Sequence, residues 1–417
     1  MQLSDIDLSD IDLTDMDRFQ AAFPHEWFTF LRREAPVWFH PPTATEGNER
    51  GFWVVTKYED VIAVSRDWQT FSSEKAPESE TGGIMLPDIG PESGVGTMML
   101  MMDPPQHTRY RKIVSSAFTP RVIKLFEEQV RRRSREIVDR VIARGECDFV
   151  TDVAAELPLQ AIAEILGVPQ EDRGKLFDWS NKMVGSSDPE YLVSPDEAMN
   201  VSVEMFTYAN ELGQEKRIAP TGDIVTAIVN AEVDGEQLSE MEFDMFFMLL
   251  SVAGNETTRN AITHGMMAFL EYPEQWKRLC AQPELFDTAA EEIVRWASPV
   301  IYFRRSVTHD TELRGQQLKA GDKITVWYPS ANRDDDIFDN PFEFDVGRDP
   351  NPHIGFGGRG PHFCLGANLA RLEIKAIFDE LTRRVPDIAA VDSPARLRSN
   401  FIHGIKHLPV KWSADAT

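Results

Sequence analysis

Cysteine is scarce in this sequence: Cys147, Cys280 and Cys364 are the only three in 417 residues. They are too few and too scattered for a disulfide framework or a zinc knuckle, and no CxxC pair occurs, so a reducing cytoplasm is the expected setting. Basic charge is short as well. Lys plus Arg number 43 against 68 Asp plus Glu, a net charge of −25. A nucleic-acid binder needs the opposite balance to displace counterions. The one dense basic run, Arg131-Arg132-Arg133 with Arg135 beside it, sits among helically spaced apolar residues and reads as a solvated helix face. Long hydrophobic runs are missing too. Eleven uncharged residues lie between Asp244 and Glu256, well short of the roughly 20 that span a bilayer. Asp5, Asp7, Asp10, Asp12, Asp15 and Asp17 all precede the first basic residue, Arg18, which is not the pattern of a signal peptide.

What is present is an ordinary globular composition, 42% hydrophobic and 27% charged. Residues 1–18 read as an acidic, mobile arm, and residues 19–417 as one domain without a repeat or a dividing linker. Val37–His40 and Phe52–Thr56 predict a hairpin, followed by a short helix from Tyr58. Residues 72–97 are loop-like and end in the apolar patch Met98–Met102. Apolar residues from Val122 to Ile142 recur at three and four, and Gly145 stops that helix. Ser239 and Glu242 have capping-box spacing ahead of a pattern that runs to Tyr272 before Pro273. Short strands are expected at Ile301–Thr308, Ile324–Trp327 and Ile402–Trp412. The fold class is therefore mainly α with small β-sheets.

Gly355-Phe356-Gly357-Gly358-Arg359-Gly360 satisfies GxGxxG, but Asp349-Pro350-Asn351-Pro352-His353 precedes it instead of a buried strand, so a dinucleotide fingerprint is not supported. The same glycines make sense as a tight loop leading to Cys364. Glycines on both sides, Gly358 and Gly366 among them, let a flat group approach. Cys364 stands just ahead of a helix, where the N-terminal dipole favours the thiolate a metal needs. A lone cysteine is more often a buried structural residue, so this one needs company to be read as a ligand.

It has company. The stretch Phe356 to Cys364-Leu365-Gly366 resembles the haem-binding signature of the cytochromes P450, with one extra residue between Phe and Cys relative to the commonest form. Ala253-Gly254-Asn255-Glu256-Thr257-Thr258 resembles the family's oxygen-activation motif, Glu292-Ile293-Val294-Arg295 its ExxR helix, and Phe338–Arg348 the meander before the Cys loop. The resemblance spans nearly the whole chain. It implies a single-domain P450 fold with haem b between a long central helix and the Cys loop, and a monooxygenase that activates dioxygen with two externally supplied electrons. It implies Cys364 as the axial thiolate and His107, Arg111, Arg305 and His362 as partners of the haem propionates, with Phe356, Gly358 and Gly366 against the macrocycle. Glu256 and Thr257 would relay protons beside an opening in the helix at Gly254. Glu292, Arg295 and Arg348 would be architectural.

The segments that face substrate in the family correspond here to Met98 and Met99, Leu250 and Ala253, Val300 and Ile301, and Phe401, all apolar or nearly so. An apolar substrate follows, and the motif text looks most like actinobacterial members that hydroxylate methyl-branched lipids or steroid side chains. A terpenoid hydroxylase, a peroxide-driven peroxygenase and a haem sensor or lipid-binding protein are the alternatives. No flavin, nicotinamide or iron–sulfur motif is present, so the resemblance implies a separate ferredoxin and its reductase. They would dock where His362, Arg359 and Arg371 offer local positive charge.

Overall fold

In the computed structural model, which describes residues 6–191, 194–233 and 235–413, Ser239 and Glu242 cap a helix of 32 residues, Glu240–Glu271. The Ser239 hydroxyl accepts from the Glu242 N–H, and the Glu242 carboxylate accepts from the Ser239 N–H at 2.7 Å. Such a cap is worth about 1 kcal/mol. At about 1.5 Å per residue the helix is a rod of about 48 Å. Phe243, Phe246, Phe247, Ile262, Met266 and Phe269 are buried along it. It packs on the helices Glu156–Leu166, Arg173–Val184, Pro195–Ile218, Phe286–Ala297 and Ala367–Arg384, and so forms the axis of the helical body. The expected opening at Gly254 is not there: the helix is regular through residues 253–258.

Beside this body lies a five-stranded sheet in the order Val37–His40, Phe52–Val55, Lys323–Trp327, Tyr302–Val307, Phe71–Ser72. The first two strands are the expected antiparallel hairpin. The third runs parallel to the second and antiparallel to the fourth. The C-terminal strand signal resolves into two short strands, Ile405–His407 and Pro409–Lys411, which belong to different small sheets. No helix among the described residues is long and apolar enough to cross a membrane.

The acidic N-terminal segment is not a projecting arm from Ile6 onward. Ile6, Ile11, Leu13 and Phe19 are buried in a cluster with Phe28, Phe52 and Trp327. The Leu13 N–H donates to His40 Nε2 at 3.0 Å, and Asn400 Nδ2 donates to the Leu13 carbonyl at 3.0 Å. The acids have local work: Asp7 caps the turn Leu8–Asp10 and Asp15 caps the helix Met16–Ala21. Counting charge alone hides the apolar residues interleaved with them.

The stretch before the Cys loop is held by one buried ion cluster. Glu292 and Arg295, both 0% exposed, pair through two hydrogen bonds of 2.7 and 2.8 Å. Arg295 also donates to the carbonyls of Asn332, Pro341 and Glu343 at 2.9, 2.9 and 3.2 Å. Glu292 accepts from Arg348 at 3.2 Å, Asn351 at 3.1 Å and the Asp345 N–H at 3.0 Å. The helix Phe286–Ala297 is thereby tied to residues 332–351. Glu291, by contrast, turns toward Arg371 and His353. The pair that forms is Glu292 with Arg295, at i,i+3.

Candidate active site

A cavity of about 230 Å3 lies between the long helix and the Cys loop. Cys364 faces it, whereas Cys147 and Cys280 lie elsewhere, in the strand Glu146–Asp148 and the helix Pro273–Ala281. The Cys364 N–H donates to the Phe356 carbonyl at 2.8 Å, which closes the loop. The thiol is pushed above its ordinary value by burial. The Gly366 amide, Arg111 and Arg371 pull the other way without winning.

The loop's glycines have separate reasons. A Cβ on Gly358 would meet Ser65 Oγ at 2.3 Å, and one on Gly360 would meet the Ser65 carbonyl at 1.8 Å. These two permit packing against the helix Tyr58–Arg66. A Cβ on Gly366 would meet nothing within 4 Å, so Gly366 leaves open space. Phe356 lines the cavity, and the Arg371 guanidinium lies 4.5 Å from its ring centroid. Arg371 is also paired with Glu291, Arg359 donates to the Tyr58 hydroxyl at 3.2 Å, and His362 points into the cavity. The positive patch expected for an electron donor is thus largely committed internally.

One wall gathers His107 and Arg111 from the helix Gln106–Ser115, Arg305 from the strand Tyr302–Val307, and His362 from the Cys loop. Strand alternation chooses between the adjacent arginines. Phe303 and Arg305 face the cavity, while Arg304 turns to the other side and pairs with Asp88 at 2.7 Å. The His107 and His362 rings lie 4.2 Å apart. Burial pulls His107 down to about 4, with Arg111 and Arg305 adding to the effect, and holds His362 well below its usual range. Both imidazoles are therefore neutral at neutral pH. His107 Nδ1 and His362 Nε2 are buried without a partner, a costly state for polar atoms unless a ligand completes them. Two neutral imidazoles with open nitrogens beside two guanidinium cations, at the edge of an apolar slot that ends in a thiol, fit a flat dianionic macrocycle with a central metal. The residues present match the implied haem.

On the long helix, Ala253, Gly254, Thr257 and Thr258 line the cavity, but Glu256 does not. At about 100° per residue, positions 253, 254, 257 and 258 share one side of the helix and position 256 falls outside that arc. Thr257 Oγ1 donates to the Ala253 carbonyl at 2.9 Å. The Glu256 carboxylate instead pairs with Arg259 inside the protein, and Arg259 donates to Asn181 at 2.6 Å on the helix Arg173–Val184. Burial pushes the Glu256 carboxyl up, and Arg259 opposes this. The expectation that acid and hydroxyl together face the cavity is met by Thr257 alone.

Of the expected substrate contacts, Met99, Leu250, Ala253 and Val300 line the cavity. Met98 packs instead with Ile84, Val95 and Met245. Ile301 is buried with Tyr302 and Trp327, and Phe401 stacks edge-on with Tyr302 and Phe303. Val300 and Ile301 precede the strand Tyr302–Val307, so its alternation does not govern which of them faces the cavity. Phe118 and Ile162 complete the apolar wall. Both are unremarkable helix-core residues in the sequence, and no local signal marks them.

Comparison with known proteins agrees with this geometry. A family model described as cytochrome P450 matches residues 197–384. A methyl-branched lipid omega-hydroxylase from Mycobacterium tuberculosis is 49% identical over 394 residues, covering 93% of this chain and 90% of that protein. A steroid C26-monooxygenase from Rhodococcus jostii is 48% identical over 401 residues, covering 95% of this chain and 83% of that protein. Among solved structures, a cytochrome P450 from Mycobacterium marinum in complex with pseudoionone superposes with a TM-score of 0.89 at 39% identity, covering 96% of this chain and 98% of that one. With nearly half its residues shared with such relatives over more than nine-tenths of its length, the chain belongs to the cytochrome P450 family of monooxygenases, whose haem b takes a cysteine thiolate as axial ligand.

Proposed function

We propose that the chain hydroxylates the terminal carbon of a long apolar substrate, a methyl-branched lipid or a steroid side chain, with Cys364 as the haem thiolate. The observation that carries this reading is one apolar cavity that joins Cys364, Thr257 and the His107–Arg111–Arg305–His362 wall. Bound there, the haem supplies dioxygen activation, which a thiolate ligand directs toward O–O cleavage. Arg111 and Arg305 neutralise the two propionates, and His107 Nδ1 and His362 Nε2 complete their hydrogen bonds. Phe356 and Gly366 bound the flat group near its sulfur ligand. Thr257 donates its one hydroxyl hydrogen to the Ala253 carbonyl, which leaves its oxygen as an acceptor for a proton donor within the cavity. Glu256 supports this from behind, through its buried pair with Arg259.

Orientation of the substrate follows from the lining. Away from the wall that holds the propionates, the cavity offers Met99, Leu100, Leu249, Leu250, Val300 and Phe303. Each methylene buried there contributes about 0.8 kcal/mol, whereas a polar head buried without a partner costs about 2–7 kcal/mol. A lipid therefore enters tail first, which brings its last carbons toward Cys364. The relatives named for omega- and C26-oxidation support the same end. Electrons come from redox partners, here a separate ferredoxin and its reductase.

Titration of the ferric protein, followed at the Soret band, tests the substrate class. Methyl-branched fatty acids and cholestenone should each drive a shift toward high spin, with terpenoids and linear fatty acids weaker. No shift with any of the four, in protein with intact thiolate haem, would overturn the apolar-pocket argument.

A further inference from the structure

At residue 254 the long helix and the helix Glu156–Leu166 approach so closely that a Cβ would meet Ile162. It would lie 2.6 Å from Cδ1, 2.8 Å from Cγ1 and 3.3 Å from Cβ, whereas non-bonded carbons rest about 3.5–4.0 Å apart. Ile162 has little freedom to yield. It is 2% exposed, and a β-branched side chain in a helix keeps essentially one χ1 rotamer. Ile162, Gly254 and Thr257 all line the cavity. Thr257 follows Gly254 by three residues, on the same face of the helix one turn later.

We propose that Ile162 is a positioning residue: seated in the hole left by Gly254, it sets the separation of the two helices and so the place of Thr257 in the cavity. Glycine is required at 254 because of this contact, not because a small residue leaves room for a ligand. The packing rests on geometry alone. Its consequence for Thr257 rests on the proton-handling role proposed above.

Four holoprotein variants separate these statements: Gly254→Ala, Ile162→Ala, the double variant, and Thr257→Ala. Two quantities are read for each, the Tm and the hydrogen peroxide released per electron consumed with an apolar substrate bound. Overpacking at a tight site should lower the Tm of Gly254→Ala by about 2–6 °C and raise its peroxide release several-fold. In the double variant the new methyl occupies space that Ile162 has vacated. Its Tm loss should be clearly smaller than the sum of the two single losses, and its peroxide release should fall back toward the parent. Additive Tm losses would overturn the contact. A recovered Tm with peroxide still at the Gly254→Ala level would overturn the link to Thr257. Tight coupling in Thr257→Ala would remove the proton role itself, while the Tm comparison would still decide the packing.

Discussion

Glu292→Ala is expected to give protein that is insoluble or devoid of haem. Glu292 is the hub of the buried cluster: Arg295, Arg348, Asn351 and the Asp345 N–H all bond to it. Removing one member of a buried ion pair typically costs about 3–5 kcal/mol, because the partner's charge is left uncompensated. Here two guanidinium groups and a main-chain donor are stranded together. A typical domain has a margin of about 5–15 kcal/mol, so one substitution removes much of it. The loss falls on residues 332–351, directly ahead of the Cys loop, and the haem site should fail before the rest of the fold. Haem content per polypeptide and soluble yield measure this. Arg295→Lys should be nearly as damaging, since an ammonium cannot reproduce the two-pronged bond to Glu292 and reach three carbonyls as well. A soluble, haem-replete Glu292→Ala protein with parental Tm would contradict the architectural role.

Cys364→Ser is expected to fold and yet lose the long-wavelength Soret band that marks thiolate ligation in the reduced carbonyl complex, with hydroxylation reduced to background. The change is small in volume, and the loop hydrogen bond from the residue 364 N–H to the Phe356 carbonyl does not depend on the side chain. The fold should therefore survive. Sulfur is another matter, because an alcohol is far less acidic than a thiol and does not replace it as an anionic ligand. Cys147→Ser and Cys280→Ser should leave the spectrum unchanged, since neither residue lines the cavity. An unaltered carbonyl spectrum in Cys364→Ser would remove Cys364 as the ligand.

Much of this was legible in the chain wherever local signals and tertiary structure agree. The Ser239–Glu242 box, the helical spacing up to Pro273 and the hairpin around Pro41-Pro42 are local rules, and the structure follows them. What was misread depends on direction. Glu256 and Thr257 are neighbours in sequence but point to different places, and only the fold shows that Arg259, itself held by Asn181 of the helix Arg173–Val184, claims the acid. Met98, Ile301 and Phe401 have the right chemistry for a greasy wall and face the wrong way. Ile162 could not be found from sequence at all, because its significance lies in what Gly254 lacks, some ninety residues away. The N-terminal segment was hidden by its own charge, six aspartates drawing attention from the apolar residues that anchor it.

The most direct measurement is the position of the new hydroxyl group. Holoprotein supplied with a ferredoxin and its reductase would be given a methyl-branched fatty acid and, separately, cholestenone, and the products located by mass spectrometry. Tail-first entry into an apolar cavity requires oxygen on the terminal carbon of both. Hydroxylation within the chain or on the steroid rings, or no oxygen transfer while thiolate haem is intact and electrons are consumed, would contradict it.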